Sequence, residues 1–477
     1  MAKNPPSVER RKISWVKWTA LVAFIACVTA VGLRFYTSFQ AVKHSIDTEI
    51  RRIQNAGEPV SREDLSAWYT ARTPNGSNLI FEIVRQHEAP EEFGEARRFI
   101  WNWSDSTRER PTASVLELSK AYLRENEACF ALIAEFVSSA PMSCPERWTL
   151  DEQHRVESLT FWNDFSFLSA SLRLRSVVHA ESNDLELAID DLLTALRLSE
   201  AFRGVPSLEA QVSRLSSRSS LLRSVEYHIN NYPYSEGSLS KLHAEFSKLY
   251  DHDALRIAML GERSRVVSLH SWSQRNGLSR IDGSYFFAHY DFEYRLNAYR
   301  KLIEMSDADP DLRTREFDFW LHQLSRLWPE PRANWPILLP YEFVHPDLDW
   351  LPATHLNHPS IHLDSNHIKS KHLLWLRGAL KNSEEIEVFV FADRTLYATL
   401  LLIGMERYRL AKGELPDELD QLVPVFVERP PVNLVGEDPF DMTSDDEYIY
   451  ITEKEKPALP DSPVKVEMRK KRPAAAP

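Results

Sequence analysis

The feature that most constrains this chain is an uncharged apolar run close to its N-terminus. Residues 18–33, WTALVAFIACVTAVGL, contain no charged side chain. As a helix that rises ~1.5 Å per residue they span ~24 Å, and the neighbouring apolar residues extend this toward the ~30 Å hydrocarbon core of a bilayer. Trp15, Trp18 and Tyr36 fall where aromatic side chains meet the boundary between lipid and water. The run predicts a transmembrane helix within residues 13–36 that anchors the chain in a lipid bilayer.

The basic residues around this run predict its orientation. Arg10, Arg11 and Lys12 precede the run, and Arg34 and Lys43 follow it. Because basic flanking residues stay on the cytoplasmic side, residues 1–12 are expected to be a cytoplasmic N-terminus. The rest of the chain is then expected to lie outside the cytoplasm.

A cleavable signal peptide is the alternative interpretation of the same run. Ala30 and Gly32 have the small side chains that a cleavage site requires. The apolar pattern continues helically into Arg34 without a turn signal, which favours an anchor that is retained.

Composition and periodicity predict a mainly α fold beyond the anchor. The chain has 477 residues, of which 43% are hydrophobic, and its 13 glycines are few compared with its 28 prolines. Such a chain can form one large or two unequal globular units made of helices joined by proline-marked turns. We expect an extracytoplasmic helical body over residues 38–390, a small α+β segment over 391–455 with a helix, a turn, a second helix and a strand, and a disordered tail over 456–477. The net charge of −12 argues against nucleic acid as a partner.

Residues 161–202 carry the clearest helical hairpin. Two helical patterns meet at Glu181-Ser-Asn-Asp, and Ala188, Leu192 and Ala195 have the spacing of the second helix of a tetratricopeptide (TPR) repeat. No second copy follows at that repeat's period, so an ordinary αα-hairpin explains the pattern as well. Residues 113–137 predict a further single amphipathic helix.

The stretch 407–430, RYRLAKGELPDELDQLVPVFVERP, encodes a helix end and a reversal of the chain. Basic residues occupy the last helical turn, and Gly413 can adopt the left-handed conformation just beyond it. Pro416 is expected to open a second helix whose apolar face folds back on the first. Farther on, residues 448–452, YIYIT, predict a strand.

These same residues carry a resemblance. The string YRLAKGELPDELDQLVP, followed by DPFD and YIY, resembles the C-terminal pattern of type II secretion pseudopilins and of a wider set of uncharacterised, membrane-anchored, mostly helical bacterial proteins. The sequence RRIQNAGEPV after the anchor is similar to the wider set. The chain lacks the prepilin cleavage motif, so the resemblance implies a bacterial inner-membrane protein rather than a pseudopilin, with a secretion-system accessory role as one expectation.

Histidines supply the most prominent candidate for a metal site. Imidazole nitrogens bind zinc or iron, and three converging ligands leave a position open for catalysis. An envelope metal-dependent hydrolase would use the candidates His355, His358, His362, His367 and His372. No HExxH accompanies them, and dispersed surface or core histidines are the alternative.

Two acidic stretches suggest calcium more weakly. Residues 307–311, DADPD, begin like a calcium loop but lack its glycine, which favours a solvated helix cap. The acidic run over residues 437–447 has a second explanation, as a charged turn beside an edge strand.

The cysteines allow one disulfide outside the membrane. Cys27 lies within the apolar run, which leaves Cys129 and Cys144 for an oxidising compartment. The chain between these two can return Cys144 to the side of Cys129, so a bridge is possible and an unpaired state is the alternative.

No local motif assigns an activity. The chain contains no GxxxxGK[ST], GxGxxG, GxSxG, CxxC or HExxH. We therefore expect a non-catalytic interaction or scaffold protein without a cofactor, with an envelope protein as its partner besides the lipid bilayer. The hydrolase and the secretion-system accessory remain the alternatives, and the sequence leaves the oligomeric state open.

Overall fold

A computed structural model describes residues 8–73, 78–87, 110–138, 152–250, 253–275, 373–428, 440–453 and 465–470, together with separate helical residues between 292 and 306. Helix accounts for 78% of the chain that can be interpreted, which confirms the mainly α class. The helices are α1 Val8–Asn55, α2 Arg62–Arg72, α3 Leu79–Gln86, α4 Ala113–Glu125, α5 Glu127–Ser138, α6 Glu152–Glu181, α7 Leu185–Glu200, α8 Leu208–Asn231, α9 Glu236–Phe246, α10 Ala254–Arg275 and α11 Leu373–Lys412.

The remaining regular structure lies near the C-terminus. Strands β1 Phe440–Ser444, β2 Tyr448–Glu453 and β3 Lys465–Arg469 form an antiparallel sheet in the order β1-β2-β3. The strand predicted over residues 448–452 is β2. Its register places Ile449 opposite Ser444 on one side and opposite Met468 on the other.

The described chain divides into two compact units of unequal size. The first comprises residues 1–62 and 263–300, and the second comprises residues 63–262 and 301–477. In the first unit, Val42, Ile46 and Ile53 on one face of α1 pack with Val266 and Leu296.

A buried ion pair also stabilises the first unit. The guanidinium of Arg263 is fully buried, and its Nη1 donates to Glu58 Oε2 at 2.9 Å. Burial lowers the pKa of Arg263, and the charge of Glu58 opposes that shift. Ser264 Oγ donates to the Pro59 carbonyl oxygen at 3.1 Å. These bonds fix the chain just beyond the end of α1 against α10.

The predicted αα-hairpin is present in the second unit. Helices α6 and α7 pack side by side, joined by a short turn in which Asn183 has φ 64°. Helix α8 packs against both and against α11, so α8 is buried on almost every side. Helices α6, α7, α8 and α11 therefore form the centre of the hydrophobic core.

Helix α11 differs from the prediction, which placed a boundary between residues 390 and 391. The helix runs without a break from Leu373 to Lys412, and Gly413 ends it with φ 83° as its position predicts. The second helix predicted from Pro416 is wrong, because only a 3-10 turn over Leu419–Leu422 forms. Pro424 has no N–H and disfavours helical conformation at the residue before it, which ends that turn.

The apolar residues after this turn nevertheless fold back on α11. They meet the helix at Gly404, where a Cβ would lie 2.3 Å from Val427 Cγ2 and 3.8 Å from Leu422 Cδ1. The absence of a side chain at Gly404 therefore permits the close approach of the returning chain. The stretch 407–430 therefore determines how the chain reverses after α11, as its sequence predicts.

Two other expectations need correction. The helix predicted over residues 113–137 is two helices, because Asn126 leaves helical geometry and its Nδ2 donates to the Tyr122 carbonyl oxygen at 3.2 Å. The disordered tail predicted over residues 456–477 contains β3. In that strand the buried Val466 and Met468 alternate with the more exposed Lys465 and Glu467. This is the period of two that is typical of a strand, and the lysine-rich composition of the tail obscures it in the sequence.

Candidate functional site

The N-terminal part of α1 presents apolar side chains to its surroundings. A window of this helix has a mean hydropathy of 1.8, and none of it is buried. Large exposed side chains include Trp18, Phe24 and Leu33. The hydroxyls of Thr19 and Thr29 donate to carbonyl oxygens one turn earlier, at 3.0 and 2.8 Å, so neither needs water as a partner. In the described part of the chain, α1 is the one helix long and apolar enough to span a membrane.

Helix α1 connects this apolar part directly to the folded first unit. The same helix carries the exposed Leu33 and, farther along, the buried Val42, Ile46 and Ile53. No break in helical structure separates the two parts. A helix without a break is stiff, so its apolar part and the first unit form one continuous element.

Two buried histidines form hydrogen-bond networks that sequence reasoning missed. His228 on α8 lies between helices, where its Nε2 is 2.9 Å from Ser176 Oγ and its Nδ1 is 2.5 Å from the Tyr234 hydroxyl. The Ser176 hydroxyl donates to the Arg173 carbonyl oxygen at 2.6 Å. The Nε2–H of His228 therefore donates to Ser176, and the Tyr234 hydroxyl donates to Nδ1. Burial lowers the pKa of His228 to about 3, so the ring is neutral.

His87, just beyond the end of α3, is the second of these histidines and contacts α6 at Ser171. Its Nε2 lies 2.7 Å from the Tyr122 hydroxyl and 3.1 Å from Ser171 Oγ, and the two hydroxyls are 2.6 Å apart. Ser171 Oγ donates to the Phe167 carbonyl oxygen at 2.9 Å. A one-way chain of donation from His87 through Tyr122 and Ser171 satisfies all these groups. Burial lowers the pKa of His87 to about 4.

A cluster of tyrosines joins the end of α6 to the end of α8. The Tyr232 hydroxyl donates to Glu181 Oε1 at 2.6 Å, and the Tyr227 hydroxyl lies 3.4 Å from that of Tyr232. The Arg110 guanidinium sits 4.9 Å from the centre of the Tyr232 ring. Burial raises the pKa of both tyrosines. These side chains hold helix ends together.

One histidine lies beside a carboxylate and remains partly exposed. His179 Nδ1 lies 2.8 Å from Asp191 Oδ2, and Arg175 Nε donates to Asp191 Oδ1 at 2.8 Å. Catalysis by an imidazole needs a reacting group beside it. Among the described residues, no group of His, Cys, Asp and Glu side chains is arranged to hold a metal ion. Arg175 on α6 and Asp191 on α7 form an ion pair.

Most of the site residues predicted from sequence lie outside the described part of the chain. This applies to Cys144, to residues 307–311 and to the candidate metal ligands His355, His358, His362, His367 and His372. The metal site and the Cys129–Cys144 bridge therefore stay predictions. Cys129 itself is buried on α5, its sulfur lies 3.6 Å from the Ile83 carbonyl oxygen, and burial raises its pKa to about 11.

The described part of the acidic run forms the turn between β1 and β2. Asp445 Oδ1 accepts from the backbone N–H groups of Glu447 and Tyr448 at 2.8 and 2.7 Å, and Oδ2 accepts from the Tyr450 hydroxyl at 2.5 Å. These bonds lower the pKa of Asp445 to about 2. The carboxylate therefore shapes a hairpin turn, which agrees with the charged-turn explanation of the run.

The two edges of the sheet differ. At β3, the Glu467 N–H donates to Glu226 Oε1 at 2.7 Å, its carbonyl oxygen accepts from Asn230 Nδ2 at 2.8 Å, and the Arg469 N–H donates to Asn230 Oδ1 at 2.7 Å. Glu226 and Asn230 are one turn apart on α8. Helix side chains thus close the β3 edge. The opposite edge, at β1, has no such covering within the described residues.

Comparisons with known proteins add no relative from which a function can be transferred. The chain matches no protein-family model, and no significant match was found to a curated protein or to a solved structure.

Proposed function

We propose that this chain is a single-pass protein of the bacterial inner membrane whose extracytoplasmic helical body serves as a non-catalytic interaction or scaffold surface. The observation that carries the proposal is α1, in which the unburied apolar stretch continues as one helix into the core of the first unit. This arrangement holds a folded unit next to a bilayer. The basic residues before the stretch support a cytoplasmic N-terminus.

The internal polar groups support a structural rather than a catalytic role. His87 and His228 are buried, are neutral near pH 7 and hydrogen-bond to hydroxyl groups of other helices. Catalytic acids and bases require contact with a substrate and a pKa near the working pH. Both imidazoles instead hold α6 in register with its neighbours, which suits a rigid body that binds other proteins.

The secretion-system accessory is a narrower form of the same proposal. It draws on the resemblance of residues 407–455 to pseudopilins. An envelope metal-dependent hydrolase that uses the histidines between 355 and 372 is the competing class.

Metal analysis and crosslinking of the full chain together test this proposal. We expect the protein purified in detergent to contain no stoichiometric zinc or iron, and an envelope protein to be recovered reproducibly after crosslinking in living cells. The matched variant replaces His358 and His362 by alanine, and we expect it to recover the same partner. Stoichiometric metal that disappears in this variant would show an enzyme instead, since three histidine ligands suffice for catalytic zinc.

A further inference from the structure

Helix α1 leaves little chain between its apolar part and the core of the first unit. Leu33 ends the uncharged run and is exposed, whereas Ser38 and Phe39 are already half-buried and Val42 is buried. The unbroken helix rises ~13 Å from Leu33 to Val42. With Leu33 at the edge of the hydrocarbon core, an interfacial layer of roughly 5 to 7 Å covers the first part of this rise. The core of the first unit therefore begins within about 10 Å, the diameter of a helix, of the lipid headgroups.

The exposed charges on this part of α1 are mainly basic. Arg34, Lys43 and Arg51 are exposed cations, and Asp47 is the one exposed carboxylate among residues 34–51. The whole chain has a net charge of −12, so this stretch is opposite in sign to the protein as a whole. Basic residues next to a membrane-spanning helix are attracted to anionic lipid headgroups.

The Lys43 ammonium has no carboxylate partner within the described part of the chain. Its own helix offers Asp47 one turn farther on, yet these two side chains do not pair. In the second unit, by contrast, Lys120, Lys241 and Lys248 each pair with a carboxylate, at 2.8, 2.5 and 2.7 Å. The charge of Lys43 is thus available to a group outside the protein.

The direction and height of the Lys43 side chain favour lipid as that group. Every Cα–Cβ bond of a helix tilts toward the helix N-terminus, which on α1 is the membrane side. The Cα of Lys43 lies ~15 Å beyond Leu33, and so roughly 9 Å beyond the headgroup layer. The flexible four-carbon stem brings the ammonium closer, to within the Debye length of about 8 Å at physiological salt.

The geometry points to Lys43 as a cation that binds the phosphate groups of anionic lipid headgroups in the leaflet next to the first unit, with Arg34 as a second contact at the edge of the hydrocarbon core. The inference rests on the proposed membrane anchor and adds a lipid surface as a partner of the first unit. Arg34 and Lys43 lie on opposite sides of α1, about half a turn apart. Two cations at different depths oppose movement of α1 along its axis, and so fix the height of the first unit above the bilayer.

Acylation of lysines tests this contact in the native chain. The full chain is reconstituted in vesicles of phosphatidylcholine alone or of phosphatidylcholine mixed equally with phosphatidylglycerol, and mass spectrometry follows the rate of acylation at Lys43. We expect acylation to be roughly fivefold slower in the mixed vesicles. The difference should disappear at about 1 M salt, where the Debye length is ~3 Å. Inorganic phosphate added to the phosphatidylcholine vesicles should not protect Lys43.

Two glutamine variants locate the contact along α1. Lys43→Gln and Arg51→Gln each remove one exposed cation, and glutamine suits a helix as well as lysine or arginine does. Arg51 is the matched control because it lies ~12 Å farther from the membrane than Lys43. Binding of phosphatidylglycerol to the full chain in detergent is titrated by native mass spectrometry. We expect Lys43→Gln to weaken this binding roughly fivefold and Arg51→Gln to leave it unchanged.

Equal acylation of Lys43 in both kinds of vesicle, protection by inorganic phosphate alone, or equal weakening of lipid binding by both variants would overturn the lipid contact. Treatment of the vesicles with alkaline carbonate separates this failure from failure of the anchor. A chain that stays in the carbonate-treated vesicles but shows one of these results keeps the anchor and loses only the contact. Release of the chain by carbonate would remove both.

Discussion

Replacing Gly261 by alanine is expected to destabilise the second unit by about 3 kcal/mol or more, because the new methyl group would overlap the backbone of the segment just before α8. An ideal Cβ at Gly261 on α10 would lie 1.7 Å from the Pro206 carbonyl oxygen and 2.5 Å from its carbonyl carbon. Both contacts are with backbone atoms, which do not rotate away as a side chain would. Relief requires α10 to move away from Pro206.

Gly237→Ala is the matched control for this clash. Gly237 is also helical, and its nearest contact for a Cβ is Ser235 Oγ at 3.7 Å, an ordinary separation. Alanine there is expected to leave the protein equally or more stable, by roughly 0.5 to 1 kcal/mol, because alanine favours helix over glycine. The midpoint of urea unfolding, followed by circular dichroism of the full chain in detergent, measures both variants. Equal midpoints for Gly261→Ala and the native chain would contradict the close approach.

Acidification from pH 7 to pH 4 is expected to remove several kcal/mol of stability through His228 and His87. Their folded pKa values, about 3 and about 4, lie below the value of 6.5 of an exposed histidine. Between pH 6.5 and 4 the unfolded chain therefore binds protons that the folded chain excludes. Stability then falls as pH falls, by about 1.4 kcal/mol per pH unit for each histidine. Above pH 6.5 both rings are neutral in either state, and this effect is absent.

Glutamine substitutions isolate this contribution from that of the carboxylates. His228→Gln keeps one donor and one acceptor but does not titrate, so the free energy of unfolding should depend less on pH by about 1.4 kcal/mol per unit between pH 6.5 and 4. The control is His44→Gln, which removes an exposed histidine of α1. Identical pH dependence for all three proteins would show that the His228 ring does not affect stability in acid.

The elements that sequence alone predicts are those with a strong local signal. The apolar run of α1, the hairpin of α6 and α7 and the end of α11 at Gly413 follow from periodicity, turn residues and helix-end chemistry. Strand β3 does not, because it depends on contacts distant in sequence. Its backbone bonds to Glu226 and Asn230 join residues more than 200 positions apart in the chain. The composition of a short strand that depends on such distant contacts does not predict the strand.

The buried histidines illustrate the same limit. His228 stands in the stretch YHINNYPY, whose three tyrosines around one asparagine pair are a signal for a packed polar cluster. His87 has no comparable sequence context, because Tyr122 and Ser171 come from other helices. Residues that meet only in three dimensions need the structure to show them. The histidines from 355 to 372 were instead prominent in sequence because they are close together along the chain.

Reporter fusions measure the proposed membrane orientation of α1 most directly. Alkaline phosphatase is active only outside the cytoplasm, and a conventional fluorescent protein exported through the membrane stays dark. Fused after Val60, the phosphatase is predicted to be active and the fluorescent protein dark, whereas a fluorescent protein fused to the N-terminus of the full chain is predicted to be bright. An inactive phosphatase and a bright fluorescent protein after Val60 would place the body in the cytoplasm and contradict the account.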